Sequence, residues 1–158
     1  MKCLPLAVLS LSILSSSAFS STTVTRQPVL TYAQARSVAD KAENIIKEHH
    51  LGGVIAVVDN AGLPIITERL DGATLANSEL APKKAHSAAA FGVPTSTFQQ
   101  KIAAGNLGML GNPAVIPLPG GEPLSLDGVV VGAIGVSTPD GNVDSEASKA
   151  AASTLTAG

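Results

Sequence analysis

The sequence predicts an α+β protein in which helices pack on an antiparallel sheet. Two pairs of short apolar segments, each pair joined by a turn sequence, indicate β-hairpins within residues 54–69 and 124–136. Segments with apolar residues at helical spacing lie before, between and after these hairpins. Hairpins pair their strands antiparallel, whereas a doubly wound parallel sheet needs a helical crossover after each strand. The order helix, hairpin, helices, loop, hairpin, helix therefore favours an antiparallel sheet with helices on it.

The first helix is predicted to begin at Thr31, which forms a capping box with Gln34. Apolar residues follow at helical spacing, and the helix is expected to end near His49, before two glycines. Residues 54–58 form an apolar, β-branched run that is typical of a buried strand. Asp59-Asn60-Ala61-Gly62 has the composition of a turn, and residues 63–69 supply the returning strand. Pro64 indicates that this second strand lies at a sheet edge or contains a bulge.

A second helix is predicted to run to Phe91, with Asn77 or Ser78 as its N-cap. Pro82 is expected near its first turn, because an interior proline removes a helical hydrogen bond. A short helix is expected over residues 95–103, and the segment 105–121, rich in Gly, Pro and Asn, reads as a loop of the kind that often binds ligands.

The second hairpin gives the clearest signal in the chain. Residues 124–126 and 129–136 flank Asp127-Gly128, a two-residue sequence typical of a type I′ turn. Asp144 is expected to cap a last, alanine-rich helix that runs through Leu155.

Residues 1–20 resemble a secretory signal peptide, with Lys2, an apolar run over residues 4–14 and small residues before Ser20. Serines interrupt the run before the roughly 20 residues that a membrane-spanning helix needs. We therefore expect cleavage near Ser20, a secreted or periplasmic protein and no stable membrane anchor afterwards. Residues 21–29 are predicted to be a flexible lead-in, and residues 30–158 a single domain.

Composition excludes several kinds of chemistry. The single cysteine, Cys3, lies in the segment predicted to be removed, which excludes disulfides and thiolate chemistry from the mature protein. The formal charge is −2 and aromatic residues make up 3%, so nucleic acid is not expected as a partner. No phosphate-binding, dinucleotide-binding, zinc-protease or serine-hydrolase motif occurs, and the three histidines lack the spacing of a structural zinc site.

His86 is the main candidate for binding, because it lies in an alanine-rich helical run whose small neighbours leave room for a flat ligand. The alternative is a partly buried structural histidine. His49 and His50 close the first helix, where the helix dipole alone favours them, and at most one of them can face a pocket. Lys83 and Lys84 are candidates to pair with a ligand carboxylate. The alternative is that both are solvated surface lysines.

The order of five segments resembles the GlcG/HbpS family over residues 30–155. These segments are Asp59-Asn60-Ala61-Gly62, Glu68-Arg69-Leu70-Asp71-Gly72, residues 84–92 around His86, Pro117-Leu118-Pro119-Gly120-Gly121, and residues 127–137. The resemblance implies an antiparallel sheet of about five strands flanked by helices, in a profilin- or PAS-like arrangement. It also implies haem or iron binding and oxidative-stress sensing in secreted, oligomeric members, and haem binding in the related PduO C-terminal domain. Other members of the family accompany enzymes that degrade small acids.

Three functions are consistent with these features. The favoured one is an extracytoplasmic protein that binds haem, or another small planar or anionic ligand, between the helix around His86 and the loop ending at Gly120-Gly121. His86, or else His49 or His50, is then the axial ligand of the haem iron. The second is an accessory enzyme for a small organic acid, with Arg69 and Lys84 as anion anchors. The third is a homo-oligomeric interaction domain, because the apolar strand 129–136 must be covered by something.

Overall fold

The computed structural model describes residues 26–155, which form four α-helices, one short 3₁₀ helix and four strands. In chain order they are α1 (Tyr32–Glu48), β1 (Val54–Asp59), β2 (Pro64–Arg69), α2 (Leu75–Phe91), α3 (Ser96–Ala103), the 3₁₀ helix (Leu107–Gly111), β3 (Gly121–Leu126), β4 (Val129–Ser137) and α4 (Gly141–Ala152). The predicted signal peptide, residues 1–20, lies outside the described residues, as does the predicted lead-in up to residue 25. None of the helices in residues 26–155 has the length and hydropathy needed to cross a membrane.

The strands form one antiparallel sheet in the order β2-β1-β4-β3. This confirms the predicted class, but the described residues contain four strands, not about five. Each hairpin supplies two strands, and the Gly/Pro-rich segment between α3 and β3 forms only loop and the 3₁₀ helix. The two hairpins are joined at the centre of the sheet, where β1 and β4 pair from Val54↔Ser137 to Asp59↔Gly132.

Both edge strands contain a proline, which cannot donate a ladder hydrogen bond. Pro64 begins β2 and Pro123 lies within β3. The register between β1 and β2 shifts between Val57 and Val58, so that Val58 pairs with Pro64. The prediction that Pro64 marks an edge or a bulge is therefore confirmed on both counts.

Alternate residues of the central strands face two different helical layers, as the two-residue period of a strand requires. One set packs with α1 and α4 and includes Ile55, Val57, Ile134 and Val136. The other set packs against α2 and consists of Val54, Ala56, Val58 and Ala133. The sheet is thus covered on both faces, by a pair of helices on one side and by α2 on the other.

Helix α2 lies unusually close to the sheet. Its Ala81, Ala85 and Ala88 are fully buried. A Cβ atom added to Gly135 in β4 would contact the carbonyl oxygen of Ala81 and would lie 2.6 Å from the backbone nitrogen of Ala85. The alanine face of α2 is therefore filled by the sheet and leaves no space for a ligand.

Two predicted helix starts are wrong, whereas the first capping box is confirmed at Thr31 and Gln34. Helix α2 begins earlier than predicted, because Thr74 is its N-cap and Asn77 completes the capping box from within the helix. Pro82 consequently lies inside α2, past its first turn. Helix α4 has Asp140 as its N-cap in place of Asp144.

The turn of the second hairpin is as predicted. Asp127 and Gly128 have φ values of 51° and 77°, and positive φ at both central positions is the signature of a type I′ turn.

Candidate functional site

A cleft with a volume of about 350 Å³ lies on the outer flank of α2. Its walls come from the β1–β2 hairpin, from α2 and from the loop that follows the 3₁₀ helix. The lining residues are Val58, Gly62, Pro64, Pro82, Lys83, His86, Pro113, Ala114 and Ile116. The volume lies toward the lower end of the range for small-molecule sites, roughly 300–1,000 Å³. The walls are mainly apolar, and Lys83 and His86 contribute the ionisable groups.

Helical geometry brings the three α2 residues of the cleft together. Pro82 and Lys83 precede His86 by four and three residues, and this spacing places side chains on one face of a helix. The buried alanines of α2 occupy the opposite face, against the sheet. Because the alanine face is anchored to the sheet, the face that carries His86 is directed away from it and toward the cleft.

The imidazole of His86 lies against the turn between β1 and β2. A Cβ atom added to Gly62 would lie 2.5 Å from Nδ1 of His86. The turn is ordered by the Asp59 carboxylate, which accepts hydrogen bonds from the backbone N–H groups of Ala61 and Leu63, each at 2.9 Å. His86 is solvent-exposed in the single chain, so its ring can meet a ligand that enters the cleft.

The loop that covers the cleft is tied to α2 at its centre. The backbone N–H of Ile116 donates to the Ser87 hydroxyl at 3.2 Å, and Ser87 is fully buried next to His86. The side chain of Asn112 accepts from the N–H of Ala114 at 3.0 Å, and Val115 is buried. The Gly/Pro-rich loop therefore lines a cleft beside His86, but the part of the loop that does so is residues 113–116 and not its end at Gly120-Gly121.

Gly120 and Gly121, which were predicted to contact the ligand, are buried elsewhere. A Cβ atom on Gly120 would lie 2.6 Å from the carbonyl oxygen of Val136, and one on Gly121 would lie 2.6 Å from that of Lys84. The N–H of Gly121 also donates to the Thr95 hydroxyl at 3.0 Å. These glycines let the start of β3 approach α2 closely, and they do not line the cleft.

Lys84 does not line the cleft either, because its side chain is used inside the fold. Its ammonium donates to the Asp144 carboxylate at 2.7 Å and to the carbonyl oxygen of Val136 at 2.9 Å. Lys84 is 2% exposed and Asp144 is 3% exposed. Asp144 also accepts from the backbone N–H of Thr138 at 2.6 Å, which explains why it is not the cap of α4. Lys83, one position earlier, is exposed and lines the cleft.

The other predicted site residues lie outside the cleft. His49 is the C-cap of α1, and its Nε2 lies 3.1 Å from the Glu146 carboxylate. His50 is exposed and has a φ of 56°. Arg69 donates to the carbonyl oxygen of Ala73 at 3.2 Å and borders a separate depression beside α1. Of the residues predicted to contact a ligand, all of which are described, His86 and Lys83 line the cleft, and the others do not.

Sequence reasoning missed the walls that face His86. The turn at Gly62 and the loop at Ile116 were predicted as local structure, but their proximity to α2 depends on the sheet order and on the path of the loop. Among residues 26–155, no three His, Cys, Asp or Glu side chains are grouped so that they could hold a metal ion. A metal ion in this cleft would therefore have to arrive already coordinated by a non-protein ligand. The iron of haem meets this condition, because the macrocycle coordinates it.

Comparison with known proteins gives consistent matches to one family. The model of the family described as haem degrading protein HbpS-like matches residues 30–153. The crystal structure of HbpS has 31% sequence identity and a TM-score of 0.76, and the match covers 84% of this chain and 94% of that one. The crystal structure of a PduOC:heme complex has 26% identity and a TM-score of 0.74, covering 81% and 96%. Protein GlcG of Escherichia coli is 27% identical over 109 residues, which cover 69% of this chain and 81% of GlcG.

Proposed function

The chain belongs to the family of HbpS-like haem-degrading proteins, and from that membership we propose that it binds haem in the cleft beside His86. The observation that carries the proposal is one cleft in which apolar walls, an imidazole and an ammonium group face the same space. A haem has an apolar macrocycle, two carboxylates and an iron that accepts an axial imidazole. The relative crystallised as a PduOC:heme complex binds such a ligand in the same fold.

Each part of the cleft has a role in this proposal. The proline rings of Pro64 and Pro113 and the side chains of Val58 and Ile116 would hold the macrocycle, where burial of apolar surface contributes roughly 25 cal/mol per Å². The Lys83 ammonium would pair with a haem carboxylate. The imidazole of His86 would bind the iron, whereas His49 and His50 lie outside the cleft. Bound haem would supply a redox-active iron centre.

Titration of the purified protein with hemin tests the proposal. We expect a shifted Soret band that saturates at one hemin per chain and that is lost or displaced in His86→Ala. The control is the double variant His49→Ala/His50→Ala, whose spectrum should match that of the unmodified protein. A wild-type titration without a Soret change would refute haem binding, and an unaltered band in His86→Ala would refute ligation by His86.

The rival hypotheses receive less support. The accessory enzyme relied on Arg69 and Lys84 as anion anchors, but Lys84 is paired with Asp144 and Arg69 borders a different depression. The interaction domain relied on the apolar strand 129–136, but residues 131–136 are buried between the chain's own helices. Self-association stays a prediction, and light scattering of the purified protein tests it.

We also propose that the protein works outside the cytoplasm, in haem or iron handling or in oxidative-stress sensing. The support for export is the sequence pattern of residues 1–20. Mass spectrometry of the protein recovered from the medium or the periplasm should give a chain that begins near residue 21. A chain found only in the cytoplasm with residue 1 or 2 at its start would refute export.

A further inference from the structure

We propose that the turn between β1 and β2 is a positioning element for the His86 ring, and that Gly62 is the residue that fixes the orientation of the ring. The turn holds one edge of the imidazole and leaves the Nε2 side for the ligand. The role of this arrangement in haem binding rests on the proposed function. The placement of the ring does not, and it can be tested without haem.

The turn is rigid because several hydrogen bonds close it. The backbone N–H of Gly62 donates to the carbonyl oxygen of Asp59 at 3.0 Å, and that of Asp59 donates to the carbonyl oxygen of Leu63 at 2.9 Å. The Asp59 carboxylate accepts from two further N–H groups of the same turn. A segment closed in this way presents Gly62 at a fixed position beside α2.

The contact with Gly62 distinguishes the two nitrogens of the imidazole. A Cβ atom on Gly62 would lie 2.5 Å from Nδ1, 3.0 Å from Cε1 and 3.5 Å from Cγ of His86. The edge of the ring from Nδ1 to Cε1 therefore packs on Gly62, and Nε2 is farther from the turn. We infer that Nε2 is the nitrogen that ligates the iron, with Nδ1 shielded by the turn. Groups that orient a ligating histidine commonly change metal affinity by about 10–100-fold when they are altered.

Alanine at position 62 would collide with the His86 ring, and we expect the ring to move and the backbone of the turn to stay in place. Its Cβ would occupy space that the imidazole now fills, and His86 is an exposed side chain that can rotate away. The φ of Gly62 is 79°, so alanine would also bring backbone strain. A control is needed that reproduces this strain without the collision.

Gly128, in the turn between β3 and β4, provides that control. Its φ is 77°, and no described atom outside its chain neighbours would lie within 4 Å of an added Cβ. Gly62→Ala and Gly128→Ala should therefore lower the melting temperature by similar amounts. Only Gly62→Ala should move the imidazole.

The test has one readout without haem and one with hemin. In the protein without haem, imidazole ¹⁵N–¹H spectra, assigned with His86→Ala, should show displaced His86 resonances in Gly62→Ala and unchanged ones in Gly128→Ala. Hemin affinity should fall about tenfold or more in Gly62→Ala and stay at the wild-type value in Gly128→Ala. In the His86→Ala background, Gly62→Ala should cause no further loss of hemin affinity.

Unchanged His86 resonances in Gly62→Ala would overturn the positioning role. Provided that the wild-type protein binds hemin, equal hemin affinities of the two glycine variants would overturn it too. If the wild-type protein fails to bind hemin, the proposed function fails, and the imidazole spectra still decide whether the turn positions His86.

Discussion

The two faces of α2 differ in what their side chains contact. The adjacent residues Lys83 and Lys84 show the difference, because they lie on different faces. The inner face carries Lys84 and the alanines that lie on the sheet. The outer face carries Pro82, Lys83 and His86, which line the cleft. Because neighbouring positions on a helix point about 100° apart, one lysine forms a buried ion pair inside the fold and the other lines the cleft. A residue type alone therefore says little about function, and its direction from the helix axis decides its role.

The largest expected effect comes from the inner face. Lys84→Ala leaves the buried Asp144 carboxylate without its ion pair, and breaking such a pair costs about 3–5 kcal/mol. We expect the melting temperature to fall by about 10 °C or more. The matched change on the outer face, Lys83→Ala, should alter the free energy of unfolding by less than about 0.5 kcal/mol. Thermal and denaturant unfolding measure both variants.

A double variant sharpens this result. Lys84→Met/Asp144→Leu removes both charges, so it should be clearly more stable than Lys84→Ala, since apolar residues often replace a buried ion pair at little cost. Equal stability of Lys83→Ala and Lys84→Ala would contradict the division of α2 into two faces.

The second expected effect tests the close approach of α2 to the sheet. Gly135→Ala places a Cβ atom against the backbone of Ala81 and Ala85, where neither partner is a flexible side chain. We expect a loss of about 2 kcal/mol in the free energy of unfolding, as overpacking of a core commonly gives. Gly111→Ala is the control, because no described atom outside its chain neighbours and the backbone of its own 3₁₀ helix would meet its Cβ within 4 Å. Denaturant unfolding distinguishes the two, and a loss of the same size in both would refute the packing argument.

The third expected effect belongs to the outer face and to ligand binding. Lys83→Ala should weaken hemin binding roughly twofold to fivefold, the size expected of an exposed ion pair with a carboxylate. The difference from wild type should shrink as salt is added, because salt screens exposed charges. Hemin titrations at low and high ionic strength measure it. A loss that is independent of salt would mean that Lys83 acts by packing, not by charge.

The smallest expected effect extends the comparison to buried carboxylates. Burial raises the pKa of Glu122, and Lys149 opposes the shift. Because the pKa is raised in the folded state, ionisation of Glu122 lowers the free energy of unfolding. That free energy therefore falls as the pH rises from about 4.3, the ordinary pKa of glutamate, through the folded-state pKa. Glu122→Gln should therefore melt up to about 2 °C above wild type at neutral pH and show no gain near pH 4. A gain that does not vary with pH would exclude the charge as its cause.

Local sequence signals predicted the elements of the fold well. The Thr31 capping box and the Asp127-Gly128 turn depend on residues only a few positions apart, and both are present as expected. The start of α2 was misplaced because the proline rule suggested a later N-terminus. In the structure the cost of Pro82 inside the helix is offset by packing along the alanine face, a tertiary effect that no local rule contains.

The candidate site was less predictable, because its parts come from distant segments. Asp144 has the sequence context of a helix cap, yet its partner Lys84 lies 60 residues away. Gly120-Gly121 resembles a ligand-binding loop, yet its glycines serve close backbone packing. His86 was identified because its small helical neighbours were expected to leave room for a flat ligand, whereas the cleft beside it is formed by the hairpin and the loop at residues 113–116. Its neighbour Gly62 was identified only as a turn residue, since nothing in the sequence indicates which helix the turn meets.

The pairing of β1 with β4 in the middle of the sheet has a consequence for the order in which the molecule acquires its structure. Residues 54–59 are translated long before residues 132–137, which cover their other edge. While the chain emerges from the ribosome, one edge of β1 in the first hairpin stays unpaired, and unpaired strand edges promote aggregation. Long-range closure of this kind also slows folding relative to proteins built from local contacts. Native structure is therefore expected to appear late and cooperatively, once the final strand is complete.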